Sequence, residues 1–269
     1  VSFGFSVAPL FLAGIIVFFE WRGALWLLAI LVGVVFTIFA LIFVRDDPAS
    51  CGLLPDGAKP EDNSEASLME VESKTLADAR RSPAFWLYSM SLGMYAMFGT
   101  ALTFHVVSIF EEAGRGRVEA FGYFIPSAIF STVTNLLASS FVDKHQLKPF
   151  LVAMLACFVI GAFGLLNLSE AWGYWLLAFG FGAGGGLWGV NSNLAYIRFF
   201  GPLHLGEISG LSTSLTVFAS AVGPAAFSLG LDYFGSYDAA VKICLVLLSA
   251  LLCAATLLKQ EELPIVPSA

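Results

Sequence analysis

Residues 180–189 read GFGAGGGLWG, and Gly180, Gly182 and Gly185 match the spacing G-x-G-x-x-G. In a dinucleotide-binding turn that spacing follows a β-strand, opens a helix and is answered by an acidic residue roughly 20 positions on. Here the preceding residues are AWGYWLLAF, and the only acid around position 205 is Glu207, beyond Gly201 and Pro202. The glycines sit inside an apolar run that extends from Ala171 to Phe200. Their meaning depends on the solvent that this run faces.

Composition identifies that solvent. The chain is 58% hydrophobic and 12% charged, with 26 Phe. Soluble domains carry roughly 25% charged residues, so this chain could not cover itself against water. The net charge of −7 is concentrated rather than spread. Nine of the 20 acids (Asp46, Asp47, Asp56, Glu61, Asp62, Glu65, Glu70, Glu72 and Asp78) lie in one polar segment. A solvated loop accounts for them, and the basic stripe of a nucleic-acid-binding protein is missing. The four cysteines are scattered without a C-x-x-C pair, which suggests neither a disulfide framework nor a metal site. No cofactor is implied.

Eight apolar stretches are long enough to cross the roughly 30 Å of a bilayer core as helices. They cover residues 3–19, 24–44, 84–110, 119–142, 149–168, 171–200, 205–231 and 237–258. Pro9, Pro126 and Pro224 fall inside spans, where a kink is tolerated. Basic residues set the orientation. Arg45, Lys59, Lys74, Arg80, Arg81, Lys144, Lys148, Arg198 and Lys259 share one side, against Arg22, Arg115, Arg117 and Lys242 on the other. The richer side is expected to be cytoplasmic, with the 45–83 loop and the 259–269 tail on it. Near the end of that loop, Thr75 followed by Asp78 predicts a capped short amphipathic helix, and Ser82 with Pro83 predicts the start of the next span. The chain begins at Val1 with no charged leader, so the expectation is a piece whose beginning is missing.

Several motifs resemble one family in order along the chain. WRGALW at 21–26, RDDPASCGLLPDG at 45–57, TFHVVSIFEEAG at 103–114, SSFVDKHQLK at 139–148, RFFGPLHLGEISGL at 198–211 and VGPAAFSLGLDYFGSYDAA at 222–240 are similar to stretches of the major facilitator superfamily. Within it they resemble monocarboxylate and oxalate–formate-type members and their bacterial relatives. The resemblance implies an all-α membrane bundle. Residues 1–44 would be the last two helices of an N-terminal half, 45–83 the central cytoplasmic loop, and 84–258 a complete six-helix C-terminal half. Helices 1 to 4 of the family would precede Val1. The expected function is secondary transport of a small organic solute, an organic acid or related metabolite, by alternating access in the cell membrane, with protons as a candidate coupling ion. A receptor or scaffold keeping the fold is the alternative. The sequence lacks H-E-x-x-H and G-x-S-x-G, and no enzyme is expected.

The resemblance also assigns roles. SSFVDKHQLK corresponds to the family's loop signature, with Ser139 where glycine is usual and lysine where arginine is common. Asp143, Lys144, Lys148 and Arg198 are therefore gating candidates, acting through ion pairs at helix ends. The glycine run falls in the helix matching number 10, which lines the family's central cavity. Gly182 and Gly186, and likewise Gly185 and Gly189, are four apart, the small-xxx-small spacing that lets membrane helices approach closely. Helix packing, not phosphate binding, is the expected use of this run.

A substrate is expected near the midplane, between the two halves. Trp188 and Asn191 share a helical face with Gly184 and Ala195. Tyr95, Thr103 and His105 on the helix matching number 7, and Asn135 on the next, supply further polar atoms. His105 is the only histidine within a span, and imidazole is the side chain that exchanges protons near neutrality. No Asp, Glu, Arg or Lys lies mid-span. A proton would have to use His105 or an acid in the preceding helices.

Overall fold

A computed structural model of the chain describes residues 2–44 and 73–259. The acid-rich part of the long loop from Asp46 to Glu72, the RDDPASCGLLPDG stretch and the tail from Gln260 onward lie outside the described residues.

In the first unit, α1 (Ser2–Ile30) leads through a π-helical turn at Leu31–Phe36 into α2 (Thr37–Phe43). Glu20 alone leaves helical geometry within α1, at φ 57° and ψ 172°, a region where a residue with a Cβ is uncommon. The break expected between residues 19 and 24 is thus a single residue. Residues 3–19 run directly into the next span. The stretch Phe18–Phe43 has a mean hydropathy of 2.9, and its large side chains point outward, Phe18 being 84% exposed and Leu41 76%. That pattern suits hydrocarbon as solvent.

The second unit begins with α3 (Leu76–Arg81) and continues through α4 (Pro83–Glu112), α5 (Arg117–Gly122), α6 (Phe124–Val142), α7 (Lys148–Leu166), α8 (Ala171–Phe200), α9 (Leu205–Phe234) and α10 (Asp238–Leu257). Thr75 and Asp78 close a capping box on α3. Ser82 occupies the N-cap of α4 with Pro83 behind it, but its side chain makes no capping bond. The span expected at 119–142 is split between α5 and α6 near Tyr123. Pro126 contributes there because it has no N–H for the Gly122 carbonyl.

Successive long helices alternate in direction. At one end, called the basic end below, Lys74 N–H donates to the Phe200 carbonyl, and Lys148 Nζ to the Thr256 and Leu258 carbonyls. At the opposite end the Arg115 guanidinium donates to the Leu168 and Glu170 carbonyls, tying two loops together. α8 packs along α6 and α7, α4 packs along α9, and α10 lies against α7 and α4.

Among the described residues, six helical stretches are long and apolar enough to cross a membrane, where eight were expected. The shortfall at α8 has a physical reason. Its 30 residues include the glycine run, Trp172, Tyr174, Trp175, Trp188, Asn191 and Asn193, which lower its hydropathy. Half-enclosed by α6 and α7, it is selected for close packing more than for lipid solubility. A Cβ on Gly180 would come within 2.5 Å of the Cys157 carbonyl of α7. One on Gly182 or Gly186 would collide with the Ser127 or Ser131 carbonyl of α6. The glycines let α8 meet both neighbours backbone to backbone.

Candidate functional site

Three helices converge where α8 turns its remaining glycines outward. The Cβ position of Gly185 lies 2.9 Å from Tyr95 Oη of α4 and 3.8 Å from Ser131 Oγ of α6. One turn on, the Cβ position of Gly189 lies 3.1 Å from Asn135 Nδ2, which donates to the Gly186 carbonyl at 2.9 Å. Two hydroxyls and an amide thus gather along a strip of helix that presents no side chain of its own.

Aromatic rings hold this arrangement. Tyr95 stacks on Phe158 with centroids 4.7 Å apart and an interplanar angle of 16°. Trp188 lies 5.5 Å from the Tyr95 ring, and its Nε1–H donates to the Leu92 carbonyl at 3.2 Å. The indole therefore offers a wall, with its donor already used.

The polar residues expected to act together fall into separate places. Asn191 is fully buried; its amide donates to the Leu187 carbonyl of its own helix and approaches Met154 Sδ of α7. Three residues past Trp188, it is rotated away from the Gly185–Gly189 strip, so the two do not present a joint surface. Thr103 is exposed and returns its hydroxyl to the Gly99 carbonyl of its own helix. His105 lies ten residues along α4 from Tyr95, roughly 15 Å at 1.5 Å per residue.

Around His105 a second cluster forms. Nε2 bonds the Pro224 carbonyl of α9 at 3.1 Å, and Nδ1 faces Tyr237 Oη, at the start of α10, at 3.2 Å. Tyr237 Oη also bonds Ser108 Oγ at 2.9 Å, while Ser108 Oγ donates to the His105 carbonyl at 3.0 Å.

At the basic end, Arg198 reaches from α8 across the end of α6. Its guanidinium donates to the Val142 and His145 carbonyls at 2.8 and 2.9 Å and stands 3.6 Å from Asp143 Oδ1. Arginine here serves as a C-cap for carbonyls that α6 cannot satisfy itself. Lys148 does the same for α10, and Lys144 is exposed. Asp143 and Arg198 are brought together; the two lysines are separate.

Ser131, Ser108 and Tyr237 escaped the sequence reading. Ser127, Ser131 and Asn135 recur every four residues on α6, a polar stripe that could have pointed to Ser131. Tyr237 opens the span expected at 237–258, and nothing local links it to α4.

The family model of the Major Facilitator Superfamily matches residues 1–262. The chain belongs to this superfamily, and it is a multi-pass membrane protein of a transporter family that handles small molecules. No curated protein matches it.

Proposed function

We propose that this chain serves secondary transport of a small organic solute, an organic acid or related metabolite, by alternating access. The carrying observation is the convergence of Tyr95 Oη, Ser131 Oγ and the Asn135 amide on the Gly185–Gly189 strip beside the Trp188 ring. Hydroxyl and amide groups suit the oxygens of such a solute, and the indole suits its carbon skeleton. Asn191 and Thr103 stand outside this set. Arg198 and Asp143 bias the conformational equilibrium at the basic end, and His105 handles protons. The membrane is the cell membrane, with the basic end and the C-terminus cytoplasmic, a reading supported by the unequal distribution of lysine and arginine.

The test is uptake of organic acids into vesicles holding the protein, with and without a pH gradient. Tyr95→Phe keeps the stacked ring and removes the hydroxyl. Losing one hydrogen bond of about 1 kcal/mol should raise the half-saturating concentration roughly five-fold. Absence of uptake for every acid tried would favour a receptor or scaffold. Unchanged affinity in Tyr95→Phe would move the site elsewhere. A cysteine placed in the 45–72 loop should resist a membrane-impermeant thiol reagent in intact cells; labelling there would reverse the topology.

A further inference from the structure

We propose that Nδ1 of His105 is a proton-binding site whose two charge states are both satisfied by rotation of one hydroxyl, that of Tyr237. The proposal follows from counting donors. The Pro224 carbonyl can only accept, so Nε2 carries hydrogen in either state. Nδ1 is then the atom that gains or loses the proton.

With His105 neutral, the Tyr237 O–H donates to Nδ1, and the Ser108 O–H donates to the His105 carbonyl. When a hydronium ion delivers a proton, an N–H bond forms at Nδ1 and water leaves. The new N–H donates to Tyr237 Oη. The Tyr237 hydrogen turns to Ser108 Oγ, 2.9 Å away, and Ser108 keeps its bond to the His105 carbonyl. Every donor in the cluster has an acceptor before and after. With His105 neutral no hydrogen lies between Tyr237 Oη and Ser108 Oγ, so that contact is a hydrogen bond only in the protonated state. A partly buried group that lost its partner on gaining a proton would resist the change, and here the partner is kept.

The charged groups at this end leave the imidazole to that chain. On α4, Glu111 pairs with Arg117 and Glu112 accepts from the Tyr237 backbone N–H at 3.5 Å. Arg115, in the loop after α4, pairs with Glu119 of α5. On α10, Asp238 pairs with Lys242, and on α9 Asp232 is exposed. None of these hydrogen-bonds the imidazole among the described residues. Protonation has a mechanical consequence. Both bonds of His105 become charge-assisted, drawing α4 toward α9 through Pro224 and toward α10 through Tyr237. Tyr237 and Ser108 are positioning residues, and His105 binds the proton.

The proposal deepens the reading of His105 as the proton-handling residue, and two independent readouts separate the two claims. Ser108→Ala removes the acceptor needed only by the protonated arrangement. In vesicles it should move the pH profile of transport about one unit toward acid. Tyr237→Phe strips Nδ1 of its partner in both states, and His105→Gln should flatten the profile. In parallel, nitrogen NMR on histidine-labelled protein, taken as the difference from His105→Gln, should show the neutral ring protonated at Nε2 and the proton arriving at Nδ1. A neutral ring protonated at Nδ1, or a Ser108→Ala profile superimposable on a pH-dependent wild type, would overturn the proposal. If NMR shows the proton arriving at Nδ1 while wild-type transport is insensitive to pH, the site stands and coupling falls.

Discussion

The Asn135 amide donates to the Gly186 carbonyl at 2.9 Å across a helix contact that leaves Gly186 no room for a side chain. A methyl group on Gly186 would overlap the Ser131 carbonyl oxygen and sit 2.9 Å from the Asn135 backbone nitrogen. These are backbone atoms of α6, and they cannot swing aside. At Gly189 the only atom met among the described residues is Asn135 Nδ2 at 3.1 Å, the far end of a side chain that can. The two substitutions should therefore part company. Gly186→Ala is expected to cost about 1–3 kcal/mol by overpacking. Gly189→Ala should leave folding nearly intact and disturb the amide that faces the candidate site. Thermal unfolding of the purified protein, read alongside uptake, distinguishes them; equal melting temperatures would mean that α6 and α8 are not in backbone contact.

Arg198 and Asp143 form an ion pair of unequal partners. The Arg198 side chain is 12% exposed and caps α6, whereas Asp143 is 84% exposed. With its carboxylate in solvent, such a pair contributes about 0–1 kcal/mol. Asp143→Asn should thus leave stability nearly unchanged and, if the pair biases the gate, alter the transport rate with substrate selectivity preserved. Arg198→Ala removes two bonds to helix-end carbonyls and should destabilise more, by about 1–3 kcal/mol. A larger stability loss in Asp143→Asn than in Arg198→Ala would contradict this division of roles.

The capping box of α3 makes its order depend on pH. The Thr75 side chain and backbone donate to Asp78, and these bonds hold its carboxyl below the ordinary carboxylate range, with Arg81 and Lys74 adding smaller effects. A carboxyl lowered by folding stabilises the helix above its unfolded value and loses that contribution as pH falls through the folded one. Acidification below about pH 4 should fray Leu76–Arg81. Amide exchange across residues 75–82 measures it, and Asp78→Asn should show the frayed rates already at neutral pH. Protection in that variant equal to wild type would show that α3 is held by its neighbours alone.

Which parts of this molecule were legible beforehand follows from the range of the forces involved. The spans could be read because each must bury its own backbone polar groups in lipid, a demand met within one helix. The helix at Leu76–Arg81 could be read because Thr75 and Asp78 are three residues apart. The candidate site was harder. Tyr95, Trp188 and Asn135 were found as polar or aromatic residues in spans, and the fold brings them around the glycine strip. Asn191 and Thr103 satisfied the same criteria and lie elsewhere, because helical spacing says which residues share a face but not which neighbour that face meets.

Composition and local spacing by themselves determined a helical membrane protein and a glycine run made for packing; the ordered motifs pointed to its family. Only the tertiary structure decided what each glycine touches, that α8 is half-enclosed by α6 and α7, and that His105 bonds partners 119 and 132 residues away. The reason is one of distance. Hydrophobic length and capping act within a few turns of one helix, whereas hydrogen bonds between helices depend on the rotation and depth at which two separate spans come to rest.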